Sequence, residues 1–365
     1  MGGGIRGVVL HDYFAIRGGG ERLAETLARG LGWPVVTGFV SDPLRRTDWP
    51  AVEVHSLGVR ASHPLHRTLA LVHAFRRWRP PPDARIAVFS GTYAPLAAPA
   101  LEGVRKVYYC HSPPRFLYDQ REFFLRRLPP WQRPGFLALG AWLRRRYREA
   151  VRAMDLVVCN SGVVRRRLRR YLGVEAEVVY PPVDTERFHW REPEGYYLSL
   201  ARLDPLKRVD RIVEAFLGLP DRRLVVASGG PEAERLRRLA GDAPNIRFTG
   251  WLDDGALADL IGGAVAVLYL PRHEDFGISP VEAMAAGKPV IGVAEGGLVE
   301  TVVDGETGIL LPPDPPVRAV REAVASLDPA RAAAMRPACE ARARAFDRCV
   351  FLERMQRLIV NLMNG

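Results

Sequence analysis

The sequence predicts an α/β protein in which two Rossmann-like domains, each with a doubly wound parallel sheet, face each other across a cleft. Three observations support this fold class. Short apolar runs alternate with amphipathic helical segments in both halves of the chain. The 365 residues are enough for two domains with separate cores. A stiff, proline-bearing segment at residues 181–184 is the best candidate hinge.

We therefore predict an N-terminal domain over residues 1–183, a second domain over 184–345, and a final helix over 346–365 that packs back on the first domain. The predicted strands of the first half are residues 6–10, 34–40, 85–89, 104–109, 155–159 and 177–180. Its predicted helices are residues 21–31, 67–78 and 161–172. In the second half we predict strands at 196–200, 224–227, 246–249, 265–270 and 290–293, with helices near 209–216 and through 316–345.

The chain is strongly basic, with a formal charge of +11. This balance favours acidic partners, which include nucleic acid, nucleotide phosphates and an anionic membrane surface. The four cysteines form no CxxC pair, which indicates a reducing compartment and argues against structural zinc. No apolar run is long enough for a spanning helix, and the N-terminal stretch lacks the features of a signal peptide. We therefore expect a cytoplasmic protein.

The most informative stretch of the sequence is residues 269–311. After a predicted strand, Gly277 allows close backbone approach, Ser279 offers an N-cap and Pro280 a first helical position. Glu282 lies three residues after Ser279, which is the spacing of a capping box. A strand, a tight loop and a helix N-terminus together predict an anion site.

Glu274 lies in the loop of this stretch, ahead of Glu282. It has no capping role to explain it, and its alternative is a solvated surface carboxylate. The two glutamates can also be interpreted as the acid and the nucleophile of a glycosidase. However, Glu282 lies on the helix that would bind phosphate. A carboxylate there is better suited to accepting hydrogen bonds from sugar hydroxyls.

Three further groups of residues are candidates for a site. Arg202 and Lys207 follow a strand end and have the charge to clamp a diphosphate, although such a pair is also typical of a solvated helix start. His111 follows another strand, where it is either a sugar or phosphate ligand or a structural histidine. The glycines at 18–20 precede a helix and allow either close approach to a ligand or a plain turn.

Taken in order and spacing, these motifs resemble the family 4 glycosyltransferases of the GT-B fold, over nearly the whole chain. The matching residues are Gly19-Gly20-Glu21-Arg22, His111-Ser112-Pro113-Pro114, Asn160-Ser161, Tyr180-Pro181-Pro182-Val183-Asp184 with Phe188, Arg202, Lys207, Gly250-Trp251-Leu252, Glu274-x7-Glu282 with Phe276-Gly277, the segment 282–290, Gly296-Gly297, Glu300 and Asp304-Gly305-x-x-Gly308.

The resemblance implies roles for these residues. Arg202 and Lys207 would hold the donor diphosphate. Glu274 would contact the hydroxyls of the transferred sugar, and Phe276, Gly277 and Ile278 would lend backbone amides. Glu282 would bind the ribose, His111 would reach the sugar from the first domain, and Gly19 and Gly20 would line the cleft. One departure is Asp275, where many members have glycine.

The resemblance also implies a retaining reaction that needs no metal or other cofactor, with a nucleotide-sugar donor and a glycan or lipid-linked acceptor. The segments 111–119 and 273–283 are similar to mannosyltransferases that build surface polysaccharides, which favours GDP-mannose as the donor. Two alternatives remain open. A sugar-nucleotide epimerase shares the architecture. A nucleic-acid-binding protein would explain the charge, but it would leave the two-glutamate stretch without a purpose.

Residues from Arg121 to Arg170 combine many arginines with aromatic side chains. Such a surface can lie on an anionic bilayer, as a lipid-linked acceptor would require, and would make the protein peripheral on the inner face of the plasma membrane. The alternative is a solvated arginine-rich face.

Overall fold

The structure is a computed structural model, and it describes residues 6–45, 51–61 and 63–365. The chain divides into two compact units. The first runs to Tyr180 and is completed by Phe351–Gly365, and the second is Pro181–Val350. Each unit contains one parallel sheet with helices packed against it.

The first unit contains a seven-stranded parallel sheet in the order β3-β2-β1-β4-β5-β6-β7. Its strands are β1 Gly7–His11, β2 Val35–Thr37, β3 Val54–Ser56, β4 Ile86–Ser90, β5 Arg105–Cys110, β6 Leu156–Cys159 and β7 Glu177–Val178. Its helices are α1 Gly19–Leu31, α2 Asp42–Arg45, α3 Pro64–Arg77, α4 Arg121–Arg127, α5 Arg133–Arg152 and α6 Gly162–Leu172. The described residues of this unit also form short 3₁₀ segments at Ala94–Ala100, Arg115–Leu117 and Pro130–Gln132, and a further one at Thr185–Arg187 begins the second unit.

Alternate strand residues of this sheet enter two separate cores. Leu10 and Phe89 pack on one face with side chains of α3, α5 and α6. Val9 and Val88 pack on the other face with side chains of α1 and with Phe351. A parallel sheet that is buried on both faces explains why its strands are continuous apolar runs in the sequence.

The second unit contains a six-stranded parallel sheet in the order β10-β9-β8-β11-β12-β13. Its strands are β8 Tyr196–Ser199, β9 Arg223–Val226, β10 Ile246–Phe248, β11 Val267–Leu268, β12 Val290–Val293 and β13 Gly308–Leu311. Its α-helices are α7 Val209–Leu217, α8 Ala233–Ala240, α9 Asp254–Gly262, α10 Ile278–Ala285, α11 Leu298–Thr301, α12 Val317–Ser326, α13 Pro329–Ala334 and α14 Arg336–Arg344. A 3₁₀ turn at Pro205–Lys207 precedes α7. The last helix, α15 Arg348–Asn364, begins in this unit and buries Phe351, Met355 and Ile359 in the first.

The predicted pair of doubly wound parallel sheets is confirmed, although the bounds of several elements differ from those predicted and the strands β3 and β13 were not predicted. Of the strand predicted at 265–270, only Val267–Leu268 is a regular strand, but the whole stretch is buried and the amides of Val265 and Tyr269 still donate to the carbonyls of Tyr196 and Ile291 in the neighbouring strands. The helix predicted from residue 21 begins at Gly19, because Gly18 serves as its N-cap and Glu21 complements the helix dipole in the first turn. Among the described residues, no helix is long and apolar enough to cross a membrane.

Candidate functional site

Both sheets reverse their strand order at one pair of neighbouring strands, β1 and β4 in the first and β8 and β11 in the second. At such a switch point the loops leave in opposite directions, so a crevice opens at the carboxyl ends of the strands. In each unit, polar side chains collect at this point. These two clusters are the candidate functional sites of the two units.

The first cluster joins two histidines through one serine. His11 and Ser90 are the last residues of β1 and β4, and they are paired in register. His111 follows β5 directly. The Ser90 hydroxyl lies 3.1 Å from His11 Nδ1 and 2.8 Å from His111 Nε2. A Cβ on Gly20 would come within 3.7 Å of the His111 ring, so the first turn of α1 lies against both imidazoles.

Burial controls the ionisation of this cluster. It lowers the pKa of His11 to about 3, with help from the nearby His111, and that of His111 to about 4. Burial also raises the pKa of Asp12 to about 6, although its carboxylate accepts hydrogen bonds of 2.6 to 2.8 Å from the amides of residues 92–94. Burial raises the pKa of Glu21, in the first turn of α1, to about 7. At neutral pH the two imidazoles are therefore uncharged.

The second cluster is an ion pair completed by a phenol. The Lys207 ammonium lies 2.5 Å from Glu274 Oε2 and donates to the Tyr269 hydroxyl at 3.1 Å. That hydroxyl donates in turn to the same Glu274 oxygen at 3.0 Å. The Lys207 side chain is 26% exposed and that of Glu274 is 18% exposed, so both charges are partly withdrawn from water.

The electrostatics of this cluster favour its charged form. Burial lowers the pKa of Lys207, but attraction to Tyr269 and Glu274 outweighs burial and leaves the pKa raised. Burial raises the pKa of the Tyr269 phenol, and the Glu274 carboxylate raises it further. Tyr269 therefore remains a neutral donor beside a permanent cation.

Two contacts, one of them buried, hold the loop that carries Glu274. The guanidinium of Arg208, a residue that is only 4% exposed, donates to the carbonyls of Leu270 at 2.6 Å and Pro271 at 2.8 Å. The Glu295 carboxylate accepts from the His273 amide at 2.8 Å and lies 2.7 Å from its Nδ1. The backbone before Glu274 is thus fixed on both sides.

The glycines after β12 complete the support of this loop. Gly297 donates its amide to the Glu274 carbonyl at 2.9 Å. Gly296 has φ of +66°, and a Cβ there would overlap the same carbonyl oxygen. The Gly296-Gly297 pair is therefore required by the close approach of two loops.

The predicted capping box is wrong, because α10 begins earlier than expected. Gly277, with φ of +90°, is the N-cap, and no side chain caps the helix. Ser279 is the second residue of the helix, so its hydroxyl is not at the N-cap position. Since the amides of a first helical turn have no intrahelical acceptor, Ile278 and Ser279 lie where backbone donors can meet an anion.

The remaining predicted residues occupy different surroundings. Gly19 is an exposed first-turn residue of α1. Arg202 is exposed, and its guanidinium has no ion pair or hydrogen bond with any residue that the structure describes. The Phe276 ring is buried against Phe346, so this residue has only backbone groups to offer a ligand. Glu282 is partly buried in α10.

Sequence reasoning missed His11, Ser90, Tyr269 and Arg208. The first two end strands and Tyr269 directly follows one, so their position at carboxyl ends was a usable signal. Nothing in the sequence distinguishes the buried Arg208 from the many exposed arginines of this chain. In the described ranges, no group of three or more His, Cys, Asp or Glu side chains is arranged to hold a metal ion.

Two family models match the chain, one in each half. The model described as Glycosyltransferase Family 4 matches residues 17–187, and the model described as Glycosyl transferases group 1 matches residues 183–344. Together they cover the second sheet with its polar cluster, and the first sheet except β1, whose last residue is His11.

Curated relatives are similar over part of their length. A D-inositol 3-phosphate glycosyltransferase from Streptomyces bingchenggensis is 34% identical over 48% of this chain and 45% of its own. A GDP-mannose-dependent alpha-(1-6)-phosphatidylinositol dimannoside mannosyltransferase from Mycobacterium tuberculosis is 33% identical over 40% of this chain and 43% of its own. The matches thus span less than half the length of either relative.

A solved structure is similar over almost the whole chain. Anabaena HepE in complex with UDP-glucose superposes with a TM-score of 0.74 at 17% identity, and the match covers 97% of this chain and 99% of that one. At this level of identity, the likeness is one of fold.

Proposed function

Because this chain belongs to the family 4 glycosyltransferases of the GT-B fold, we propose that it transfers a hexosyl group from a nucleotide sugar to a glycan or lipid-linked acceptor. The observation that carries this proposal is the Lys207–Tyr269–Glu274 cluster at the switch point of the second sheet. It combines a cation suited to a diphosphate with a carboxylate suited to sugar hydroxyls.

The second unit has three groups that can receive a diphosphate. Lys207 offers a partly buried point charge, and Arg202 offers an exposed planar guanidinium. The first-turn amides of α10, from Ile278 onward, offer a helix N-terminus. Together they would stabilise the negative charge that develops on the departing nucleoside diphosphate. We propose that these groups remove the need for a metal ion.

Glu274 is proposed to accept hydrogen bonds from the hydroxyls of the transferred sugar, and Glu282 from the ribose. The Glu274 carboxylate is held by Lys207 and Tyr269 through the same oxygen, Oε2. Its second oxygen, Oε1, is therefore available for a sugar hydroxyl. His111 is proposed to contact the sugar from the first unit, as the sequence predicts.

We propose that the reaction retains the configuration of the sugar through attack on the face from which the diphosphate leaves. Glu274 is a poor candidate for an enzymatic nucleophile, since its carboxylate is already neutralised by an ammonium at 2.5 Å. In a front-face reaction the departing diphosphate itself can take the proton of the acceptor hydroxyl. The groups that bind the diphosphate would then also set its basicity.

Mannose from GDP-mannose is the proposed donor. Its support is the sequence similarity to mannosyltransferases and the Mycobacterium tuberculosis relative, whose name specifies GDP-mannose. The competing donor is a UDP sugar, since HepE has been solved with UDP-glucose. One sugar epimer differs from another by a single hydroxyl, so the choice depends on hydrogen bonds that only a bound donor would reveal.

A thermal-shift panel of GDP, UDP and ADP, each alone and as its sugar, tests the donor. A ligand that binds only the folded protein raises its melting temperature. We expect GDP and GDP-mannose to give the largest shifts, and a larger UDP shift would overturn the mannose proposal. The selected donor is then incubated with and without a lipid-linked acceptor. Conversion of the donor to an epimer without acceptor would overturn transfer.

We also propose that the region of α4 and α5 lies on an anionic bilayer. It exposes large apolar side chains, namely Phe124, Trp131, Leu137 and Trp142. Trp131 is 78% exposed. Arginines flank these side chains, including the exposed Arg126, Arg127 and Arg133. Aromatic side chains between arginines suit the interface of a bilayer with anionic headgroups.

Co-sedimentation with liposomes tests this surface. Trp131→Ala combined with Arg126→Ser and Arg127→Ser should reduce binding to phosphatidylglycerol vesicles about tenfold, because both apolar and electrostatic attraction are lost. Trp251→Ala is the matched control, since this tryptophan is 72% exposed in the second unit. Equal binding by the triple variant and the control would contradict the proposal.

A further inference from the structure

The chain His11–Ser90–His111 occupies the carboxyl ends of three adjacent strands, β1, β4 and β5. The serine hydroxyl lies between the two rings, at 3.1 Å from His11 Nδ1 and 2.8 Å from His111 Nε2. His11 is 5% exposed and Ser90 is fully buried, whereas His111 is partly exposed. Of these three residues, only His111 is therefore placed to contact a ligand from solution.

The two hydrogen bonds of Ser90 must run in the same direction, because its hydroxyl group has a single hydrogen to donate. If Ser90 donates to His111 Nε2, the neutral His111 carries its hydrogen on Nδ1. If Ser90 instead donates to His11 Nδ1, it accepts from His111 Nε2, and Nδ1 of His111 is left as an acceptor. The hydrogen bond at one end of the chain thus decides what His111 can offer at the other end.

Aromatic and backbone groups pack against both rings. The Tyr109 ring lies edge-on to His111 at 5.3 Å, and the Phe14 ring lies 5.1 Å from His11. The backbone of Gly20 lies against both imidazoles. Burial also lowers the pKa of each ring, so the neutral form in which tautomers matter is the one present at pH 7.

We propose that Ser90 and His11 are positioning residues that fix the tautomer and the ring orientation of His111, and so decide whether its Nδ1 donates to or accepts from a hydroxyl of the transferred sugar. The proposal rests on the proposed function, in which His111 contacts the sugar. It adds two residues that do not touch the substrate. These two residues would still affect the reaction. A His111 ring that has moved or changed its tautomer would no longer form the correct hydrogen bond with the sugar hydroxyl.

Paired substitutions separate hydrogen bonding from packing. Ser90→Ala and His11→Phe remove the link, whereas Ser90→Thr and His11→Asn retain a polar hydrogen at the same place. Ser326→Ala is the control, because the Ser326 hydroxyl lies in α12 of the second unit and donates to the Ala323 carbonyl of its own helix. The readouts are kcat and KM for the donor, and the ¹⁵N signals of the His111 ring in protein with labelled histidine.

We expect Ser90→Ala and His11→Phe to lower kcat about tenfold to a hundredfold with KM for the donor changed less than about threefold. The ¹⁵N signals of His111 should change from one tautomer to a mixture. Ser90→Thr and His11→Asn should restore both readouts at least in part, and Ser326→Ala should change neither.

An unchanged ¹⁵N pattern in Ser90→Ala would overturn the proposal, and so would an equal loss of kcat in His11→Phe and His11→Asn. The NMR readout does not depend on catalysis. If the wild-type protein transfers no sugar, the proposed function fails, while the ¹⁵N signals still decide whether Ser90 controls the tautomer of His111.

Discussion

The two polar clusters occupy the same topological position in their sheets but differ in charge. In the first unit, Ser90 links two imidazoles whose pKa values are lowered by burial, so the cluster is neutral. In the second unit, Lys207 and Glu274 form an ion pair at 2.5 Å, with Tyr269 bonded to both. Two sheets of the same kind thus carry an uncharged cluster in the first unit and a charged one in the second.

The difference in charge suits the two clusters to different parts of a ligand. A partly buried ammonium stabilises an anion strongly, since attraction between charges increases as water is excluded. A neutral imidazole lacks that attraction, but it distinguishes a donor from an acceptor and therefore one hydroxyl arrangement from another. We infer that the second cluster provides affinity for a diphosphate and that the first contributes to recognition of the sugar.

Removal of the Glu274 carboxylate should have the largest effect. Glu274→Ala deletes both the proposed sugar contact and the partner of a partly buried lysine. We expect transfer to fall by at least about a hundredfold while the fold is retained. Initial rates of transfer measure the loss, and circular dichroism checks the fold.

Glu306→Ala serves as the matched control, because Glu306 is exposed in a loop of the same unit. It should leave transfer unchanged. Near-normal transfer by purified, folded Glu274→Ala would remove Glu274 from the site.

Lys207→Met should have the next largest effect, on binding. The substitution keeps the length of the side chain but removes the ammonium that contacts Glu274 and Tyr269. We expect the Kd for GDP to rise about tenfold to a hundredfold, because a charge-assisted contact with phosphate is lost. Lys106→Met, in the first unit, should bind GDP normally. If both variants bind alike, the charged cluster does not bind the diphosphate.

Acidification should weaken the neutral cluster. The pKa values of His11 and His111 lie below their ordinary value, so their contribution to stability is complete above pH 6.5 and is lost as the pH falls toward 4. Asp12 and Glu21, whose pKa values are raised, act in the opposite direction. The contribution of a buried imidazole is therefore obtained by comparing the stability of the wild-type protein with that of a variant that lacks the ring.

We therefore expect the wild-type protein to lose about 2 kcal/mol more stability than His11→Asn between pH 7 and pH 5. Hydrogen exchange of peptides from β1 and β4 measures this loss in the first unit. His73→Asn, which removes an exposed imidazole of α3, should behave like the wild-type protein. An equal loss in the wild type and in His11→Asn would show that the buried ring is not the acid-sensitive group.

Arg202→Ala should have the smallest effect of these changes. Its guanidinium is exposed, so any contact with a phosphate is screened by water and salt. We expect the Kd for GDP to rise about fivefold at low salt and less at high salt. Arg318→Ala, an exposed arginine paired with Glu322, is the control. A loss as large as that of Lys207→Met would mean that Arg202 is the main phosphate ligand.

The sequence predicted the two sheets well because buried parallel strands are apolar runs and their helices are amphipathic. Most strand ends were placed within a few residues. The start of α10 was misplaced because Ser279 and Glu282 match a capping box, whereas Gly277 begins the helix with a backbone conformation that favours glycine. A local pattern cannot reveal such a competing start.

The candidate site was only partly predictable for a related reason. Lys207 and Glu274 were each selected, but their ion pair joins residues 67 positions apart, and no local signal records that contact. Ser90 was overlooked because a serine at a strand end is common. Its importance arises from the register that places it beside His11 and from the hydrogen bond to His111.

Calorimetric titration of GDP and GDP-mannose into the wild-type protein and Glu274→Gln tests the central claim most directly. Glutamine keeps the shape of the side chain but removes the charge that would accept the sugar hydroxyls. We predict that GDP binds both proteins within about threefold, whereas GDP-mannose loses at least about tenfold in affinity to the variant. Equal affinity of the two proteins for GDP-mannose would contradict the assignment of Glu274 to the sugar.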